Sequence, residues 1–149
     1  MKRLLALLPL AVGVLADTKG PGIVLQGGEP VQFRVYCETS GASPLLHHIW
    51  EAADHVNPDG ECYQSNKVGS HCTKIEKSEG AIISICGPDR KRYDIPCGDV
   101  ETMARAVADH CGSPLEGGDR AGGYVYREYR TFTSWSPDPP AWVEVTRNK

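Results

Sequence analysis

The chain has 149 residues, 40% of them hydrophobic and 23% charged, with a formal net charge of −3 at pH 7. That is the length of one domain with a modest core. A mildly acidic balance argues against nonspecific binding to nucleic acid or to anionic lipid.

Met1-Lys2-Arg3 precedes an uncharged run from Leu4 to Ala16. A basic start, a short apolar stretch and small residues at Val14 and Ala16 read as a signal peptide over residues 1–16, cleaved after Ala16. The run falls short of the roughly 20 apolar residues that span a bilayer. No second stretch approaches that length, so the expectation is a secreted, extracellular protein without stable membrane insertion. Removal of Lys2 and Arg3 takes the net charge to about −5. No Asn-x-Ser/Thr acceptor for N-glycosylation is present.

Residues 17–30 are rich in Gly and Pro and read as an extended N-terminal arm, with a short edge strand at Ile23 to Leu25. Residues 31–149 read as a single disulfide-stabilised domain. Val31, Phe33, Val35 and Cys37 alternate with polar neighbours, the period-2 pattern of a half-buried strand. Ser43-Pro44 then offers an N-cap and a first helical residue. Leu46, Ile49, Trp50 and Ala53 follow on one helical face, and Asn57-Pro58-Asp59-Gly60 ends the helix. Residues 60–79 are polar and read as a loop that needs a tie. A Cys62–Cys72 bridge is one candidate for it.

Ala81 to Cys86 is a short apolar, β-branched run, a central strand. After the turn at Gly87-Pro88-Asp89, Arg90 to Ile95 reads as its more polar hairpin partner. Asp99 caps the strongest predicted helix, along which Val100, Met103, Ala104, Val107 and Cys111 share a face; Gly112 and Pro114 stop it. A glycine-rich loop leads to a strand from Tyr124 to Thr133. A proline-rich turn and a last strand, Trp142 to Thr146, complete the chain. The predicted class is α+β: a disulfide-stapled α/β sandwich, with an antiparallel sheet and two helices on one face, of split-βαβ type.

All six cysteines (Cys37, Cys62, Cys72, Cys86, Cys97 and Cys111) follow the leader. An even count in an exported chain implies three disulfides. Six cysteines allow fifteen pairings, and the sequence does not choose among them.

Ile83-Ser84-Ile85-Cys86-Gly87, Cys97, the helix ending at Cys111, Gly122-Gly123 and the final strand pair together resemble the fungal killer-toxin-like secreted proteins. The resemblance covers residues 81–145 and implies a cystine-stapled α/β sandwich. Those toxins carry more cysteines and a basic surface tied to action on calcium channels. With six cysteines and an acidic balance, this chain takes from the resemblance the fold and not that activity. In size, leader and cysteine content it also resembles secreted fungal effectors that act on a plant host.

No cofactor and no bound metal are expected. His71, Cys62 and Cys72 lack zinc-ligand spacing. His47, His48, Glu51, Asp54 and His55 read as the solvated face of the first helix, with loose divalent-metal binding at His48-x-x-Glu51 as the alternative. No nucleophile motif of the Gly-x-Ser-x-Gly kind occurs. Tyr126, Glu128 and Arg130 alternate along one strand face, as in a small hydrolase or ribonuclease, and equally as exposed cross-strand pairs.

Two surfaces are candidates for binding. One is the basic turn Arg90-Lys91-Arg92. The other is aromatic: Tyr124, Tyr126, Tyr129, Phe132, Trp135 and Trp142 crowd the last two strands and their connection, with Trp135 and Tyr129 the leading contact residues. The expectation is a monomeric, non-enzymatic toxin-like or effector protein that binds a host or competitor protein or glycan. A small extracellular enzyme and a cell-surface structural protein are the alternatives.

Overall fold

The computed structural model describes residues 18–19, 23–24, 30–128 and 141–148. The predicted signal peptide lies outside the described residues, as do Tyr129 and Trp135.

In chain order the elements are β1 (Thr18–Lys19), β2 (Ile23–Val24), β3 (Pro30–Cys37), α1 (Leu46–Asp54), β4 (Tyr63–Gln64), β5 (Cys72–Lys77) and β6 (Ala81–Cys86). There follow β7 (Tyr93–Asp94), α2 (Cys97–Cys111), β8 (Ser113–Leu115), β9 (Gly118–Arg120), β10 (Gly123–Glu128) and β11 (Trp142–Arg147). A seven-stranded sheet runs in the order β1-β3-β10-β11-β6-β5, with β2 also paired to β3, and every pairing in it is antiparallel. β6 and β10 therefore point the same way, joined by α2, with β11 slotted between them. β3 and β5 also point the same way, joined by α1, with three strands between. Each crossover is a split βαβ unit, so the α+β class and the two-layer arrangement are as predicted.

The period-2 strands place their branched residues on one face. Val35, Val125, Val143 and Ile85 stand side by side across four strands, each at most 1% exposed. Both helices cover this face, and sheet and helices share one apolar core. α2 contributes Val100, Met103, Ala104 and Val107, all of them fully buried. From α1 come Ile49, Ala52 and Ala53, and Val56 follows from the turn after it. Two consecutive alanines let α1 lie close against α2. The buried stripe is thereby turned toward Ala52, and Trp50, expected inside, is 40% exposed. Arg105 of α2 ties the helices by pairing with Asp54 of α1 and with Glu101 one turn back.

Neither helix carries the side-chain cap that was expected. α1 starts at Leu46 without one, because the Ser43 hydroxyl accepts instead from the Ser40 N–H at 2.9 Å. α2 starts at Cys97, after Pro96, so Asp99 lies inside its first turn. A carboxylate there still favours the helix dipole.

The disulfides join Cys37 to Cys111, Cys62 to Cys97 and Cys72 to Cys86. The Cys62–Cys72 bridge does not form. Cys62 instead clamps the start of α2 and Cys37 its end, so the best helix is stapled at both termini. The polar loop over 60–79 is tied in other ways. It contains β5, an edge strand of the main sheet, and the fully buried Gln64 donates from Nε2 to the carbonyls of Asn66 and His71 at 2.7 and 2.6 Å.

The predicted hairpin shifts accordingly. β6 pairs with β5 and β11, not with residues 90–95. Its turn is made by Ser78, whose N–H donates to the Ala81 carbonyl and whose hydroxyl accepts from the Ala81 N–H. Tyr93–Asp94 pairs with Tyr63–Gln64 instead. Among the described residues no helix is long and apolar enough to cross a membrane.

Candidate functional site on the open sheet face

Antiparallel pairing puts alternate residues on opposite faces, so the residues between the core positions point away from both helices. They form two rows across five strands. One row is Tyr36, Tyr124, Glu144, Ser84 and Lys74; the next is Arg34, Tyr126, Trp142, Cys86 and Cys72. Tyr36 and Tyr124 open the first row, with Glu144 in its middle; in the second, Tyr126 and Trp142 follow Arg34, and the disulfide closes the far end.

The rings touch in sequence. Tyr36 stacks on Tyr124 at 5.0 Å between centroids, and Tyr126 meets both edge-on at 5.7 and 5.5 Å. Trp142 lies 5.6 Å from Tyr126. Offset and edge-to-face contacts of this kind add to the hydrophobic gain of burial. All four side chains are half-buried. Burial, with the Glu38 charge, pushes the Tyr124 phenol above its ordinary range; burial and the neighbouring tyrosines do the same for Tyr126. Both therefore stay neutral at physiological pH and offer hydroxyl groups that donate and accept.

Glu144 stands beside Tyr124 on one side and Ser84 on the other. Its Oε2 lies 3.2 Å from the Cys86 sulfur and 3.7 Å from the Cys72 sulfur. Bridged sulfurs carry no hydrogen, so neither donates to this carboxylate. Burial first, and the Glu38 charge second, push the Glu144 carboxyl above its ordinary 4.5. Cys72, Cys86 and Glu144 form the only cluster of possible metal ligands among the described residues. While the bridge is closed the two sulfurs supply no thiolate, and the cluster is not a metal site.

A raised carboxyl pKa has a definite sign in stability. Below pH 4.5 Glu144 is protonated folded and unfolded alike. As pH rises past that value the unfolded chain ionises first, and stability falls until the folded carboxyl also ionises. Glu144→Gln is expected to raise the urea midpoint at neutral pH and to leave it nearly unchanged at about pH 4. A midpoint difference that does not vary with pH would contradict the assignment.

The other sequence candidates lie elsewhere. Arg90, Lys91 and Arg92 occupy the turn leaving β6 and belong to neither row. Arg92 pairs with Asp94 at 2.7 Å and lies 3.9 Å over the Tyr63 ring, while Lys91 approaches Asp89 at 3.6 Å. Two of the three charges are thus engaged locally by carboxylates. On α1, His48 Nδ1 lies 3.6 Å from a Glu51 carboxylate oxygen, and the His47 ring meets the His48 ring at a tilt of 43°. Of the Tyr126, Glu128 and Arg130 set, the described side chains include only Tyr126.

The sequence pointed to Tyr124, Tyr126 and Trp142 as part of one aromatic group, and the structure brings these three together. It missed Tyr36, whose signal was its place on the polar side of the first strand. It also missed Glu144, which period 2 puts on the same face as Trp142. Comparison of the chain with known protein families, with curated proteins and with solved structures returns no match.

Proposed function

We propose that the protein acts outside the cell as a non-enzymatic, toxin-like or effector-type binding protein, and that it engages a host or competitor target through the open sheet face. The observation that carries this reading is the run of four contacting rings, Tyr36, Tyr124, Tyr126 and Trp142, on the face that neither helix covers. Rigid aromatic side chains with polar tips give large contact area at small entropic cost, the property of contact residues that dominate protein and glycan binding. Three disulfides suit an oxidising compartment. The leader-like run from Leu4 to Ala16 and the resemblance of residues 81–145 to killer-toxin-like proteins favour the same reading.

The test is biological response with folded variants. Protein purified from culture medium is expected to provoke a response on leaf infiltration or to inhibit a competing fungus. Tyr124→Ala and Tyr126→Ala are each expected to weaken that response about tenfold, the effect of losing one contact residue that dominates binding, with unchanged far-ultraviolet circular dichroism. Full potency in both variants would remove the open face from the mechanism. Turnover of RNA, glycan or ester substrates that disappears in Glu128→Gln would replace the binding reading with an enzymatic one.

A further inference from the structure

We propose that the Cys72–Cys86 bridge is a thiol–disulfide exchange site, which takes an external thiol as co-reactant and uses Glu144 as proton donor to the leaving sulfur. The proposal goes beyond the binding reading and stands whether or not the aromatic rows bind a target.

Exchange needs one sulfur that can be reached and a second that can leave. The bridge meets both requirements at the edge of the sheet. Cys72 is half-exposed on the edge strand β5, and Cys86 is fully buried on β6. An incoming thiolate therefore meets the Cys72 sulfur, and Cys86 is the leaving group. A thiolate released in a buried position is costly unless it is protonated or paired. Glu144 Oε2, 3.2 Å from the Cys86 sulfur, is placed to supply that proton. Among the described residues this bridge alone has a carboxyl oxygen close to both sulfurs.

The step balances. The thiolate R–S⁻ bonds to the Cys72 sulfur and the Cys72–Cys86 bond breaks. The electron pair of that bond goes to Cys86, which takes the proton of the neutral Glu144 carboxyl. The products are a mixed disulfide on Cys72, a thiol on Cys86 and a Glu144 carboxylate. Attack of Cys86 on Cys72 reverses the step.

The groups facing Glu144 on its own face are Tyr124 and Ser84 on the flanking strands, Tyr36 beyond Tyr124, and Lys74, exposed on β5. Glu38 acts on it through charge alone, in the direction that keeps the proton on the carboxyl. Burial acts in the same direction.

The test uses the folded, fully oxidised protein and reduced glutathione, with thiols trapped at intervals and disulfides mapped by peptide mass spectrometry. The expected first product carries glutathione on Cys72, with Cys37–Cys111 and Cys62–Cys97 intact. Rates are divided by glutathione thiolate concentration at each pH. In Glu144→Gln, which keeps the shape of the side chain, the corrected rate is expected to fall about tenfold at acid pH, where the Glu144 carboxyl is protonated, and to approach the unmodified protein's at alkaline pH, where it is ionised. First reaction at either other bridge overturns the proposal. Equal rates for the two proteins at both pH values remove Glu144 from it, and so overturn the mechanism as stated. Mapping the first product requires no substitution, so the site is tested even if the variant is poorly folded.

Discussion

Gly123→Ala is expected to destabilise the protein by about 4 kcal/mol, a large part of the roughly 5–15 kcal/mol that holds an ordinary domain folded. Gly123 opens β10 with φ at +147°, a backbone conformation that L side chains rarely adopt. It lies between Cys37 of β3 and Val145 of β11, with strands paired on both sides. A Cβ there would run into the carbonyl oxygen of Tyr36 and come within 3.1 Å of the Cys37 Cα. Both obstacles are backbone, held by β3 pairing and by the Cys37–Cys111 bridge, so neither yields as a flexible side chain would. The strain of a non-glycine residue at such a φ, of about 1–3 kcal/mol, adds to the cost of moving that backbone. Gly41→Ala is the control: nothing lies within 4 Å of its Cβ position, and it should change stability by less than about 0.5 kcal/mol. Urea denaturation of both variants decides the matter. Matching midpoints for Gly123→Ala and the unmodified protein would show that the β3–β10 junction relaxes freely.

The same glycine shows where a sequence stops being informative. Gly122-Gly123 reads as loop because glycine marks turns, and the reason for the second one is the close approach of a strand 86 residues away in sequence. The apolar strands β3, β6 and β11 and the helix α2 were legible because their branched residues recur at the period of the element. β5 was not, since Cys72-Thr73-Lys74-Ile75-Glu76-Lys77 lies at the sheet edge, where one polar face and a register shift between Lys74 and Glu76 break the alternation. With β5 hidden, the hairpin signal falls on the next polar segment, 90–95, and Cys72 reads as a loop residue with Cys62 as its apparent partner. One unseen edge strand thus produced both errors. The candidate site suffered differently. Its residue types were visible, but the face was not, because Tyr36, Glu144 and Cys72 reach it from three separate strands. Only the register brings them into two rows.

The bridges themselves should differ in what their loss costs. Cys37–Cys111 closes 74 residues, Cys62–Cys97 closes 35 and Cys72–Cys86 closes 14. Loop-closure entropy then assigns them stabilisations of about 4.5, 4 and 3 kcal/mol. Local structure widens the spread. Cys111 ends α2, and its carbonyl accepts from the Thr39 hydroxyl at 2.7 Å, so breaking its bridge loosens the helix at the strand junction that Gly123 depends on. Cys72 and Cys86 face each other across a hairpin that backbone pairing and the Ser78 turn still hold. Replacing each pair by serines should therefore give urea midpoints in the order Cys72–Cys86, Cys62–Cys97, Cys37–Cys111, from most to least stable. A Cys72→Ser/Cys86→Ser protein that is the least stable of the three would break this order. It would also weigh against an exchangeable bridge at that position, because a site that opens to an external thiol must leave the rest of the fold standing. The two staples on α2 secure the core, and the third lies where the sheet can do without it.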